Sequence, residues 1–203
     1  MVETGIYYTI DRSASAEFKD RGSKFIAITF PIQTADDFKR CLEEVKKEHP
    51  KANHHCFAYR LGLDNYNFRV SDDGEPSGTA GKPILGQIDS KQLTNILVVV
   101  VRYFGGTLLG VPGLINAYKT ATSLALQVTP ILQRAVEVKY TLQFDYTQVN
   151  DIMMIIKQLN CTVHVQEMNL FCRFIIGIPK ARLEEALHRF KDIRDLEMIK
   201  IVS

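Results

Sequence analysis

The densest polar segment of the chain is Ser71-Asp-Asp-Gly-Glu-Pro-Ser-Gly-Thr-Ala-Gly81, which holds three carboxylates, three glycines and a proline. Glycine and proline punctuate the backbone and Asp competes for its hydrogen bonds, so the segment predicts a loop. As a binding loop, its N–H groups around Gly78 and Gly81, with the hydroxyls of Ser77 and Thr79, cradle an oxyanion, and Lys82 follows as the nearest cation. Asp72, Asp73 and Glu75 oppose that anion unless a cation bridges them. As structure alone, the same acids cap turns and the glycines let two elements pack closely.

A second segment runs Arg102-Tyr-Phe-Gly-Gly-Thr-Leu-Leu-Gly-Val-Pro-Gly113. It follows the aliphatic run Ile96–Val101, so Arg102, Tyr103, Gly105 and Gly106 fall at the carboxyl end of a strand, where α/β sheets often bind ligands. Arg102 suits a phosphate or a carboxylate. It equally suits an acid of the first loop, and both roles are compatible. Neither G-x-G-x-x-G nor the G-x-x-x-x-G-K-S/T phosphate loop is present.

The third cluster is His54-His55-Cys56. In a strand, alternate side chains share a face, so His54 and Cys56 point one way and His55 the other. Two such histidines do not chelate one metal, and a Cys–His pair needs a histidine brought to Cys56 by the fold. One His with Asp72 or Asp73 is a poor metal set. No metal and no cofactor is expected.

The elements that must position these residues follow from periodicity. The chain has 203 residues, 46% hydrophobic and 24% charged, with a net charge of +2, which predicts an ordinary globular protein and no strong field for polyanions. Both halves are nearly neutral, but eleven of the twelve glycines precede residue 134. The four scattered cysteines predict reduced thiols. No run is long enough to span a bilayer and Met1–Tyr8 has no leader pattern, so a soluble, cytoplasmic protein without membrane contact is expected.

Strands are predicted at Gly5–Ile10, Lys24–Ile32, His54–Leu63 and Phe68–Ser71, and a helix starts at the capping pattern of Thr34. Ile96–Val101 reads as a strand buried on both faces. Leu114, Ala117, Tyr118, Ala121, Leu124, Ala125 and Val128 form one helical stripe, with Pro112 in its first turn. Pro130 marks a boundary. Beyond it, Val136–Tyr146 alternates as a strand, and Val149–Ile156 repeats at helix period. Strands at Cys161–Val165 and Phe171–Ile178, a helix over Leu183–Phe190 and a last strand at Leu196–Val202 complete the order β-α-β-β-α-β.

The motifs Arg21-Gly-Ser-Lys-Phe-Ile26, Ala52-Asn-His-His-Cys56, Ser71–Pro83, Val99-Val-Val-Arg-Tyr-Phe-Gly-Gly106 and Gly110–Tyr118 resemble the signature of the IMPACT/YigZ family. The resemblance covers essentially the whole chain. It implies an α+β protein with an N-terminal IMPACT domain over 1–130, in a ribosomal protein S5 domain 2-like fold. A ferredoxin-like βαββαβ domain over 134–203 follows by the same implication. For eukaryotic relatives it implies translation control under amino-acid stress, through a protein partner that activates a stress kinase. For bacterial members, which lack that pathway, it implies binding to RNA or the ribosome. Two departures, Pro112 and Asn116, remove an N–H and a cation from the Gly110–Tyr118 turn.

Three functions follow as expectations, the third being a regulator that binds protein alone. In the first, the chain is a non-catalytic regulator that binds RNA or the translation machinery. One groove holding His54, Asp72, Asp73, Glu75, Thr79, Arg102 and Tyr103 makes the contact. Lys19, Arg21, Lys24, Arg60, Arg69, Lys82, Arg102 and Lys119, with Tyr59, Tyr66 and Tyr103 for stacking, are the nucleic-acid candidates. In the second, the chain is a small-ligand or phosphate enzyme, a hydrolase or phosphotransferase, using the Ser71–Pro83 loop and Arg102. Lys82 is the only phosphate-loop lysine on offer there. No catalytic residue is assigned.

Overall fold

A computed structural model of the chain describes residues 5–64 and 66–201. Tyr66 is among them, whereas Val202, where the last predicted strand was to end, lies outside. Contacts divide the molecule into two compact units, the first over Tyr7–Arg134 and the second over 135–201 together with Gly5 and Ile6. Both mix helix and strand.

In the first unit, β1 (Ile6–Ile10), β2 (Ala14–Asp20) and β3 (Ser23–Pro31) precede α1 (Ala35–Glu48). The Thr34 side chain accepts from the Asp37 N–H and the Asp37 side chain reaches back to the Thr34 N–H, so the capping pattern starts α1 as predicted. Then come β4 (His54–Arg60), β5 (Phe68–Ser71), α2 (Gly81–Ser90), β6 (Ile96–Tyr103), α3 (Gly110–Val128) and β7 (Ile131–Ala135). Five strands form an antiparallel sheet in the order β2-β3-β6-β4-β5.

Helices cover both faces of this sheet. On one, Ile84 and Ile88 of α2 and Leu114, Ala117, Tyr118, Ala121 and Ala125 of α3 pack on Phe25, Ala27, Cys56, Ala58, Val98 and Val100. On the other, Phe38, Cys41 and Val45 of α1 pack on Phe57, Tyr59, Leu97, Val99 and Val101. Central β6 therefore has no polar face to alternate with, which explains its unbroken aliphatic run. Because the sheet is antiparallel, the ligand rule for carboxyl ends of parallel strands does not apply to Arg102. What brings the loops together is cross-strand register.

The second unit contains β8 (Glu137–Asp145), a 3-10 turn, α4 (Val149–Gln158), β9 (Thr162–Glu167), β10 (Phe171–Pro179), a second 3-10 turn, α5 (Leu183–Lys191) and β11 (Glu197–Lys200). Its four strands pair antiparallel in the order β11-β8-β10-β9. Leu142, Phe144, Phe174, Ile176 and Ile178 of the sheet pack on Ile152, Ile155 and Ile156 of α4 and Ala186 and Phe190 of α5.

Candidate functional site

Register places the central residues. Arg102 on β6 lies opposite Phe25 on β3 and opposite His54 on β4. Directly opposed residues of antiparallel strands share a face, so Phe25, Arg102 and His54 form a row on the side covered by α3. The Arg102 guanidinium sits 5.4 Å from the Phe25 ring centroid and 5.5 Å from that of Phe104, in cation–π contact with both.

A buried chain of polar groups fixes that guanidinium. Its Nη1 donates to Glu75 Oε1 at 2.6 Å and its Nη2 to Ser23 Oγ at 3.3 Å. The Tyr118 hydroxyl donates to the same Glu75 oxygen at 2.7 Å. The Cys56 sulfur lies 3.3 Å from that hydroxyl and 2.9 Å from the Asp72 carbonyl. Burial pushes both the Cys56 thiol and the Tyr118 phenol well above their usual ranges. Cys56 is thus an uncharged thiol without a histidine partner, unsuited to nucleophilic attack.

The Ser71–Gly81 loop wraps this chain, and its geometry corrects the oxyanion reading. The N–H groups of Gly78, Ala80 and Gly81 all donate to the Asp72 carboxylate, at 2.8, 3.0 and 2.8 Å. Burial raises the Asp72 carboxyl, but these three amides outweigh it and hold the group below its usual range. The protein's own carboxylate occupies the cradle and caps α2, whose preceding residue Ala80 has no capping side chain. The Thr79 hydroxyl donates to the Pro76 carbonyl at 2.7 Å. Asp72 is likewise spent as a metal ligand.

Asp73 sits at φ +42° in the left-handed region, which Asp tolerates. Its carboxylate accepts the His55 N–H at 2.6 Å and its carbonyl accepts from His54 Nδ1 at 2.8 Å. A carbonyl only accepts, so Nδ1 carries the proton. That leaves His54 Nε2 facing Glu75 Oε1 at 3.8 Å.

Beside this network opens a cavity of about 450 Å³, lined by Asn53, His54, Glu75, Pro76, Arg102 and Phe104, and by Leu108–Val111 and Leu114 at the start of α3. Its polar wall is the Arg102–Glu75 pair and its apolar wall is the α3 entry. Leu108, Phe104 and Val111 remain exposed there.

The Impact N-terminal domain model matches residues 21–126, which include every residue lining the cavity. The chain belongs to the IMPACT family. It is 35% identical over 172 residues to the IMPACT family member YigZ of Escherichia coli K12, covering 84% of each chain. An IMPACT family member of Haemophilus influenzae is 33% identical over 180 residues, covering 87% of each. A solved crystal structure of a hypothetical protein superposes with a TM-score of 0.73 at 30% identity, over 98% of both chains.

Within this IMPACT-family chain, the structure brings some predicted site residues together and separates others. His54, Glu75 and Arg102 line one cavity, and Asp73 positions His54. Tyr103, next to Arg102 on β6, points to the opposite face, where its hydroxyl meets His49 Nδ1 at 2.9 Å. His55 lies on that face as well, with Nε2 3.1 Å from the His49 carbonyl, and burial lowers its pKa. The expectation of one groove with Tyr103 therefore fails on strand alternation. Ser77 and Lys82 are exposed and do not line the cavity.

Gly105 donates its N–H to Ser23 Oγ at 3.2 Å. A Cβ there would fall 1.9 Å from the Gly22 carbonyl carbon, so two backbones touch. Gly106 takes φ +86° in open space. Ser23 and Tyr118 are the partners of the Arg102–Glu75 pair that sequence reasoning missed.

The basic residues do not converge. Lys19 and Lys24 share Glu17, at 3.2 and 2.8 Å, and Arg60 pairs with Asp89. Arg69 lies over the Phe38 and Phe57 rings on the α1 side, while Lys119 and Asn116 border a hollow with Gln87 on the α2–α3 side. Tyr59 is buried. No described helix is long and apolar enough to cross a membrane.

Proposed function

We propose that this IMPACT-family protein is a non-catalytic, cytoplasmic regulator that acts by binding the translation machinery, with the cavity beside Arg102 as its contact. The family supports translation control. The contact is to a protein component rather than to RNA: the candidate cations lie on both faces of the sheet, with Lys19, Lys24, Arg60 and Arg102 among them paired with acids, whereas the cavity mouth is apolar. The observation that carries a binding role is the Arg102–Glu75–Tyr118–Cys56 chain, in which the reactive groups are spent on one another. The same reading takes 1–130 as an S5 domain 2-like domain. It takes 134–203 as a ferredoxin-like domain, supported by the order β-α-β-β-α-β and the β11-β8-β10-β9 sheet.

Co-sedimentation with purified ribosomes and translation factors, beside filter binding to tRNA and rRNA at rising salt, tests this. The account expects co-sedimentation that survives added salt and is lost in Leu108→Asp. Retention only of bare RNA, with steep salt dependence, would instead point to phosphate contacts.

One observation favours an enzyme as the second reading. The Asp73 carbonyl orients the His54 ring so that Nε2 faces the cavity wall beside Glu75, as a general base must be held. A thermal-shift screen with nucleotides, phosphate esters and divalent ions separates the two readings. A selective shift abolished by His54→Gln would favour this one.

A further inference from the structure

The polar wall of the cavity holds two acceptors that face each other without a donor. His54 gives its Nδ1 proton to the Asp73 carbonyl at 2.8 Å, so Nε2 of the neutral ring carries a lone pair. That nitrogen lies 3.8 Å from Glu75 Oε1, and a carboxylate oxygen only accepts. The gap is too long for a direct hydrogen bond, but one N–H placed about 3 Å from each atom reaches both. Glu75 Oε1 already takes Arg102 and Tyr118, so His54 Nε2 is the acceptor left open and the carboxylate draws a donor toward it.

This nitrogen is on the cavity side of the ring. His54 and Glu75 both line the cavity. The Nδ1 edge is covered by the Asp73 carbonyl and by Gly74, whose missing Cβ would lie 3.5 Å from Nδ1. The 23% exposure of the His54 side chain therefore belongs to the opposite, Nε2 edge.

The rest of the lining is apolar, with Pro76, Phe104, Leu109 and Leu114 around about 450 Å³, a size that encloses a ring system. The fitting occupant carries one polar hydrogen on a broad apolar body. A cation is disfavoured, because Arg102 stands in the same wall and already offsets Glu75 at 2.6 Å. A carboxylate or phosphate would add a further acceptor. A phenol brings its own lone pairs against Glu75. An indole donates and accepts nothing, and its rings suit the apolar wall. Leu108 and Val111 stay exposed at the mouth, so the chain carrying that ring has apolar surface to lie along. Tryptophan is also among the residue types that most often anchor protein contacts.

We propose that the cavity receives a tryptophan side chain of the partner protein. The indole N–H donates to His54 Nε2 beside the Glu75 carboxylate, and the rings lie among Phe104, Leu109 and Leu114. This rests on the protein-binding reading above and names its partner's chemistry.

The test is fluorescence anisotropy with a hexapeptide labelled at its N-terminus, amidated at its C-terminus and carrying one central tryptophan, titrated against the full chain. A second peptide carries benzothienylalanine there, which keeps the bicyclic shape and replaces the N–H with sulfur. The tryptophan peptide should bind about tenfold more tightly, the scale of one hydrogen bond. His54→Phe should abolish that preference and leave the two peptides equal. In the unsubstituted chain, histidine nitrogen NMR in mildly alkaline buffer should show His54 Nε2 unprotonated, with its resonance moved by the tryptophan peptide alone. Equal binding of both peptides to that chain overturns the inference, as does no binding of either up to about 1 mM. A doubly protonated His54 in that buffer also overturns it, because the gap to Glu75 is then closed by an ion pair. Tighter binding of a lysine peptide overturns it in favour of a cationic anchor, and adenosine displacing the tryptophan peptide in favour of a nucleobase. Ribosome co-sedimentation that persists when neither peptide binds would leave the broader function standing and remove only this ligand.

Discussion

Replacing Glu75 with Gln removes one charge and keeps the shape, so it isolates the electrostatics of the buried chain. The Glu75 side chain is 3% exposed and that of Arg102 6%, and they meet at 2.6 Å. The variant leaves the guanidinium out of water with a neutral partner. Breaking a buried pair from one side costs about 3–5 kcal/mol. The Gln oxygen still accepts one of the two donors from Arg102 and Tyr118, which places the expected loss near the lower end, about 3 kcal/mol. Adding Arg102→Met removes the stranded charge and should recover most of that loss. Hydrogen exchange of peptides from β6 and α3 under rising urea reads the first unit alone. A single-variant loss below about 1 kcal/mol, or a double variant as costly as the two singles added, would refute a desolvated pair at the site.

Other outcomes follow from the same contacts. Asp72 has a folded pKa below its unfolded one, so its contribution is present above about pH 4 and lost as pH falls through the folded value. Exchange protection of the Gly78–Gly81 amides should drop over that range, and Asp72→Asn should remove the pH dependence. Gly105→Ala should destabilise by about 1–3 kcal/mol in urea unfolding, because its Cβ meets Gly22 backbone. Gly86→Ala, in open space within α2, should instead stabilise by about 0.5–1 kcal/mol.

Which parts of this architecture were legible from residues alone has physical causes. The alternation of β8 and the Thr34 cap are local signals, and both elements lie where predicted. β2, β7 and α2 were missed: β2 is a half-exposed edge whose sequence ASAEFKD alternates, but largely on small alanines that give a weak apolar signal, and α2 carries two glycines and a proline. Tyr118 fell within an apolar helical stripe, so periodicity assigned it to the core while its hydroxyl serves Glu75. Asp72 shows a deeper limit, since no pattern tells whether a carboxylate awaits a ligand or satisfies its own loop. Tyr103 was within reach, because alternation from Arg102 already places it on the far face.

The central claim is that the cavity mouth meets a protein of the translation machinery. The most direct measurement replaces Leu108 with a photo-crosslinking amino acid and irradiates the chain with purified ribosomes and translation factors. The account predicts a discrete protein adduct, absent when Val111→Asp is introduced. Adducts to RNA alone, or none while the chain still co-sediments, would contradict it.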